Sequence, residues 1–336
     1  MKTFQHGGDI LSFADEIGCQ VDELVDLSSN INFVKPKIDI SFNSLDISPY
    51  PNYNKLYKSI SKLYSVRENQ IELFNGGSSA IFSLFKLFAL QDCTIYSPAY
   101  LEYKKAGQIF NYKITYINRF ENIEQDIPKN SLVIFVNPST PDGKFYNIDK
   151  LIKKWIKKRC TILIDESFLD FTDFKSATSY INCYDKLYIL KSMTKFYSAA
   201  GIRVGTIISN TENIKKIKRV EPMWKISQFD SSYLQEVLKD RDFSKISKEI
   251  NLANREYLYD ILNRSNHIER VYPSSANYIL AKLKNLTAEA FQKLLTPHKI
   301  MLRDCSNFDF LDEKYIRIAV KQKSSLELLK KVLDES

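Results

Sequence analysis

The chain of 336 residues, 44% apolar and 26% charged, is long enough for one large core with a smaller lobe and has the composition of a soluble globular protein. No apolar run has the ~20 residues that a membrane-spanning helix needs; the densest, Ala80 to Leu90, is broken by Lys86. The formal charge of +8 comes from lysines spread along the chain with no nucleic-acid motif behind them, so neither a membrane nor a nucleic acid is expected as partner, whereas anionic small molecules suit it.

The opening, MKTFQHGGDIL, lacks the apolar core of a secretory leader. Cys19, Cys93, Cys160, Cys183 and Cys305 show no C-x-x-C pair or metal spacing, so reduced thiols in a cytoplasmic protein without a bound metal are expected. A helix is predicted over 9–19, after His6-Gly7-Gly8, whose glycines permit close backbone approach to a ligand or simply a flexible turn. Val25-Asp26-Leu27-Ser28-Ser29-Asn30-Ile31-Asn32 reads as a short strand ending in a polar loop. Pro49-Tyr50-Pro51 is a rigid turn before a helix over 55–63. Asn75-Gly76-Gly77-Ser78-Ser79 joins an apolar run to a Phe- and Leu-rich helix. Glycines at such a start expose N–H groups that favour an anion, although the string alone commonly marks a capped turn. A strand from Cys93 leads to Pro98-Ala99-Tyr100.

Leu132 to Val136 reads as a buried strand ending in Asn137-Pro138-Ser139-Thr140-Pro141-Asp142-Gly143. Leu151, Ile152, Trp155 and Ile156 form a helical apolar stripe, which leaves the lysines of 153–159 on the solvated face. Thr161 to Ser167 is an apolar strand that ends in Asp165 and Glu166, and an acid there lies at the crevice where open α/β sheets take ligands. The run from Lys186 to Ile208 holds a buried strand, a polar turn Ser192-Met193-Thr194-Lys195, small residues, Arg203 and a second apolar run. A lysine amine at a strand mouth can form a Schiff base with an aldehyde, and Ser192, Thr194 and Arg203 can hold phosphate oxygens. Beyond 213 the periodicity turns helical, with Pro222 as a break, a strand at 276–280 and a helix at 287–295. Leu302-Arg303-Asp304-Cys305 and the strand 315–320 follow, the latter carrying Arg317, a charge costly to bury without a partner. Ser324 with Glu327 reads as the capping box of a closing helix. There is no internal repeat or linker.

The S-x-T-K-x7-R string at 192–203 resembles the lysine signature of the fold-type I pyridoxal-phosphate enzymes, the aspartate-aminotransferase superfamily. H-G-G followed by D-L-S-S-N-I-N resembles the opening of threonine-phosphate decarboxylases, the subgroup nearest to histidinol-phosphate aminotransferases. The resemblance implies an α/β fold with a large, mostly parallel sheet domain (45–212) and a smaller α+β domain (1–44 with 213–336). It also implies pyridoxal 5'-phosphate as cofactor and a homodimer with shared active sites. By the same resemblance Lys195 carries the cofactor, Asp165 pairs with its ring nitrogen and Tyr100 stacks on its ring. Gly77, Ser78, Ser192, Thr194 and Arg203 hold its phosphate, with Tyr50 reaching over from the neighbouring subunit. Thr140 stands where the family has the asparagine that bonds the ring's phenolic oxygen, Asp142 replaces a family threonine, and Phe168 replaces a tyrosine. His6, Asn30, Arg303 and Arg317 match substrate positions, Arg317 gripping the α-carboxylate and Arg303 a substrate phosphate. The activity implied is decarboxylation of L-serine phosphate or L-threonine phosphate, to ethanolamine phosphate or aminopropanol phosphate, precursors in cobamide or polysaccharide synthesis. A histidinol-phosphate-type aminotransferase and a non-catalytic binding protein are the alternatives.

Overall fold

The computed structural model describes residues 7–336. In chain order, α1 (Ile10–Ile17) and β1 (Val25–Asp26) precede α2 (Asn54–Tyr64), β2 (Ile71–Asn75) and α3 (Gly76–Phe88). Then come β3 (Asp92–Ser97), α4 (Leu101–Ile109), β4 (Lys113–Asn118), β5 (Leu132–Val136), α5 (Asp149–Lys157), β6 (Thr161–Asp165), β7 (Leu187–Ser192) and β8 (Val204–Ser209). The remainder is α6 (Thr211–Val220), α7 (Gln228–Val237), α8 (Phe243–Arg264), β9 (Ile268–Val271), β10 (Tyr278–Leu283), α9 (Ala288–Leu295), β11 (Ile300–Met301), β12 (Arg303–Asp304), β13 (Tyr315–Ala319) and α10 (Lys323–Glu335).

Seven strands form one sheet in the order β2-β8-β7-β6-β5-β3-β4, in which β8 runs against both neighbours and the other pairs are parallel. The central strands read as unbroken apolar runs because both faces are covered: Leu132–Val136 is buried throughout, and Ile162, Leu163 and Ile164 are fully so. On one face α3 and α4 supply Ala80, Leu84, Phe85, Tyr103 and Ala106. On the other, α5 supplies Leu151, Ile152 and Trp155, while Lys153 and Lys157 of the same helix are exposed. The solvated reading of that lysine run therefore holds.

A second, antiparallel sheet has the order β12-β13-β10-β9 and its own core, in which Leu258 of α8, Phe291 of α9 and Leu326 of α10 pack on Ile279, Ile316 and Ile318. The N-terminal segment belongs to this second body: β1 pairs with β11, and Leu27 is buried in the same core. Among the described residues no helix is long and apolar enough to cross a membrane, and no group of His, Cys, Asp and Glu could hold a metal ion.

One sequence expectation fails. The closing helix starts at Lys323 with Gln322 at its cap, so Ser324 lies inside the first turn and does not cap it. The Gln322 carbonyl already takes the N–H groups of Ser325 and Leu326, at 3.0 and 3.3 Å. That pins the helix start at Lys323, one residue ahead of Ser324.

Candidate active site

The carboxyl ends of β2, β3, β5, β6 and β7 point the same way, and the second sheet faces them across a cleft. Open α/β sheets take ligands at such an edge. Among the described residues four cations, Lys195, Arg203, Arg303 and Arg317, line the cleft, and Asp165 is the single acid.

The strand ends explain how these groups meet. β2 passes directly into α3 at Gly76, whose φ of +79° suits glycine; a Cβ there would lie 2.6 Å from an Arg203 guanidinium nitrogen. Gly205 opposite is equally tight, since its Cβ would lie 2.6 Å from the Gly76 carbonyl carbon. The two glycines let Arg203, just ahead of β8, lie against the N-terminus of α3, where Gly77 and Ser78 line the cleft. Ser192 ends β7 and Thr194 follows it, their hydroxyls 2.7 Å apart. Together they make a pocket of hydroxyls, helix N–H groups and one guanidinium, the donor set an oxyanion requires. Tyr100, after β3, sits beside it with its hydroxyl 3.2 Å from that of Ser78.

Asp165 ends β6 and is buried, which pushes its carboxyl above the usual carboxylate range; the Ser167 hydroxyl and N–H and the Tyr103 hydroxyl pull it back. Tyr103 donates to one carboxylate oxygen at 2.8 Å, and Ser167 donates twice to the other. Sequence reading passed over both donors. D-x-S is a local turn signal that could have marked Ser167, but Tyr103 is 62 positions from Asp165 and nothing local pairs them.

Lys195 stands half-buried at the cleft wall. Desolvation, then Arg317 and Arg203, hold its amine down at about 8, with Asp165 opposing. A lysine at that value is partly neutral near pH 7, the form in which an amine is a nucleophile or base.

The opposite wall of the cleft comes from the second sheet. Arg303 and Arg317 are directly opposed across β12 and β13, so their side chains share the face that meets the cleft. Arg317 donates to the Ser28 carbonyl at 3.2 Å and reaches the Thr140 hydroxyl at 3.4 Å, while its Nε is buried with no partner. Among the described residues no carboxylate pairs with it. Arg303 donates to Asn307 at 2.7 Å, and burial lowers its guanidinium to about 10. Asn30, Gly7 and Phe308 complete this wall.

Thr140 lies in the cleft; Asp142 does not. Asp142 is buried in an ion pair with Arg119 at 3.0 Å, and Arg119 also takes the Thr140 carbonyl at 2.7 Å, so the substituted residue braces the loop from behind. Phe168 packs edge-on against Tyr278, ring centroids 5.0 Å apart. Tyr50 is outside the cleft of its own chain, 74% exposed and stacked on Trp224 at 4.1 Å. His6 lies outside the described residues.

Comparison with known proteins gives the same outline. The sequence model of the class I and II aminotransferases matches residues 26–335. A protein of Caldanaerobacter subterraneus subsp. tengcongensis named as a putative threonine-phosphate decarboxylase is 28% identical, over 96% of this chain and 91% of its own length. The histidinol-phosphate aminotransferase of Clostridium acetobutylicum superposes with a TM-score of 0.81 at 28% identity, covering 93% of this chain and 98% of that one. The Sinorhizobium meliloti histidinol-phosphate aminotransferase, solved with pyridoxal-5'-phosphate, has the same fold, with a TM-score of 0.79 at 14% identity and coverage of 100% and 98%.

Pyridoxal 5'-phosphate is the cofactor of this family, and the cleft fits it on chemical grounds: among the described residues it has an amine without a carboxylate partner, a single buried acid, and an oxyanion pocket where a Cβ at Gly76 would already collide with Arg203. Fold, cofactor and near full-length sequence match agree, and the chain belongs to the class I and II aminotransferase family of fold-type I pyridoxal-phosphate enzymes.

Proposed function

We propose that the chain decarboxylates an O-phospho-L-amino acid, L-serine phosphate or L-threonine phosphate. The observation that carries this reading is the opposed pair Arg303 and Arg317. Like charges directly across a sheet repel, and Arg317 has a buried Nε without a partner. A substrate bearing both a carboxylate and a phosphate relieves both strains at once. Arg317, as a fork, suits the planar carboxylate, which leaves Arg303 with Asn307 for the phosphate. The relative named as a threonine-phosphate decarboxylase supports the same substrate class.

When bound, pyridoxal 5'-phosphate supplies an electron-accepting ring that stabilises charge left at the substrate α-carbon. Gly77, Ser78, Ser192, Thr194 and Arg203 would hold its phosphate, and Tyr100 would lie on its ring. Asp165, held in place by hydrogen bonds from Tyr103 and Ser167, would face the ring nitrogen. Lys195 would anchor it and afterwards hold or return a proton at the α-carbon, a role suited to an amine near 8. Arg317 and Asn30 orient the carboxylate, and that orientation decides whether the carboxylate or the α-proton departs. The same reading divides the chain into a cofactor-binding unit, 45–212, and a second unit, 1–44 with 213–336. It gives Tyr50 a place in the cleft of a second copy; its exposure and its position outside its own cleft favour that.

Transamination of a histidinol-phosphate-type substrate is the second reading, favoured by the likeness to the Clostridium enzyme. The test is incubation of the cofactor-loaded protein with each phospho-amino acid and no 2-oxo acid, following products by mass. CO2 and ethanolamine phosphate or aminopropanol phosphate are expected. The two substrates differ by one methyl, a preference worth ~1–3 kcal/mol in a pocket. Amine transfer that occurs only when a 2-oxo acid is added, with no CO2, contradicts the proposal.

A further inference from the structure

The second asparagine of the N-I-N string, Asn32, is absent from the cleft yet buried, and every polar atom of its side chain is engaged. Its main-chain N–H donates to the Lys195 carbonyl at 3.1 Å, and its Nδ2 donates to the Phe196 carbonyl at 2.7 Å. Two consecutive carbonyls at the lysine are thus tied to one residue 164 positions away from Phe196 in the chain. Asn32 is in turn seated on α8. Asn251 donates to its Oδ1 at 2.9 Å, and its Nδ2 also donates to the Ser247 hydroxyl. Phe243, Ser247 and Asn251 recur at four-residue spacing, so they form one stripe of α8, with Phe243 against the Phe196 ring at 5.5 Å. Polar groups so deeply placed are costly unless bonded, and in this cluster only Asn251 Oδ1 is left without a partner. An apolar stripe would have served packing alone.

We infer that Asn32, held by Ser247 and Asn251, is a positioning residue that fixes the backbone on which Lys195 stands. The inference rests on the reading that Lys195 carries the cofactor. Two residues upstream, Asn30 lines the cleft, with its carbonyl held by Asn277 at 2.8 Å. One short segment therefore bears on both the substrate wall and the lysine.

The test compares the loaded parent protein with Asn32→Asp, which keeps size and removes the Nδ2 donor, and with Ser247→Ala, which removes one support of that donor. Three readouts are taken: the mass added at Lys195 after borohydride reduction, the pH midpoint of the bound cofactor's visible absorbance, and kcat and KM on the better phospho-amino acid. In both variants Lys195 is still labelled, the absorbance midpoint moves from the parent value, and kcat falls about 10- to 100-fold with KM nearly unchanged, as when a supporting contact is lost. Ser247→Ala, the smaller change, carries the test if Asn32→Asp does not fold. A lowered melting temperature with midpoint and kcat both unchanged overturns the inference and leaves Asn32 a packing residue. Absence of the label at Lys195 in the parent removes the lysine reading itself, and the inference with it; an unturned substrate touches only the proposed function, because label and midpoint remain readable.

Discussion

Lys191 and Lys195 stand four residues apart, one near the end of β7 and one in the turn after it, yet they face opposite chemistry. Strand alternation turns Lys191 away from the cleft that Leu190 and Ser192 line. There it is 2% exposed, bonded to Glu166 at 2.7 Å, within 3.8 Å of Asp170, and over the Tyr64 ring at 4.7 Å. Burial would lower its amine, but Glu166 and Asp170 outweigh burial and hold it above its ordinary value. Lys195 meets the reverse: desolvation acts together with two arginines, and only Asp165 opposes them. The difference separates a lysine paired with carboxylates from one that has no carboxylate partner among the described residues. The same contrast recurs in the arginines: Arg119 is bound to Asp142 on the loop's far side, whereas Arg317 at the cleft has no carboxylate partner among the described residues.

The contrast can be broken from either side. Lys191→Met leaves Glu166 and Asp170 without their cation, and denaturant unfolding should show a loss of about 3–5 kcal/mol, the usual result of breaking a buried pair. A loss under about 1 kcal/mol, the size of an exposed pair, would put Lys191 in the same class as surface lysines.

Lys195→Met should have the opposite sign in cofactor-free protein. The folded value of about 8 lies below the unfolded 10.5. The charged lysine therefore penalises the fold fully below pH 8, and the penalty fades as pH rises toward 10.5. At pH 7 the variant should be more stable than its parent by ~2–3 kcal/mol, and the two stability curves should converge on raising the pH through that window. Parallel curves would contradict the assignment of an uncompensated amine.

Much of the cleft was legible because its parts are contiguous strings at strand ends. Gly77 with Ser78, Asp165, and the run from Ser192 to Arg203 each carry their chemistry within a dozen residues of a buried strand. What the sequence withheld are the pairings made by the fold. Tyr103 on Asp165, Arg119 on Asp142, and Arg303 opposite Arg317 depend on register between elements far apart in the chain. Asn32 shows the limit well: its string was conspicuous, but its contact with the lysine turn exists only once α8 closes over both. Local chemistry misled at Ser324, where a plausible cap lies inside a helix whose start the Gln322 carbonyl fixes.

The most direct measurement is to load the protein with pyridoxal 5'-phosphate, reduce it with borohydride, and map the added mass by peptide sequencing. The mass should lie on Lys195, with Lys191 unmodified in the same peptide digest. Label on Lys191 or another lysine, or no label at all, would contradict the claim that the unpaired amine is the one the cleft was built around.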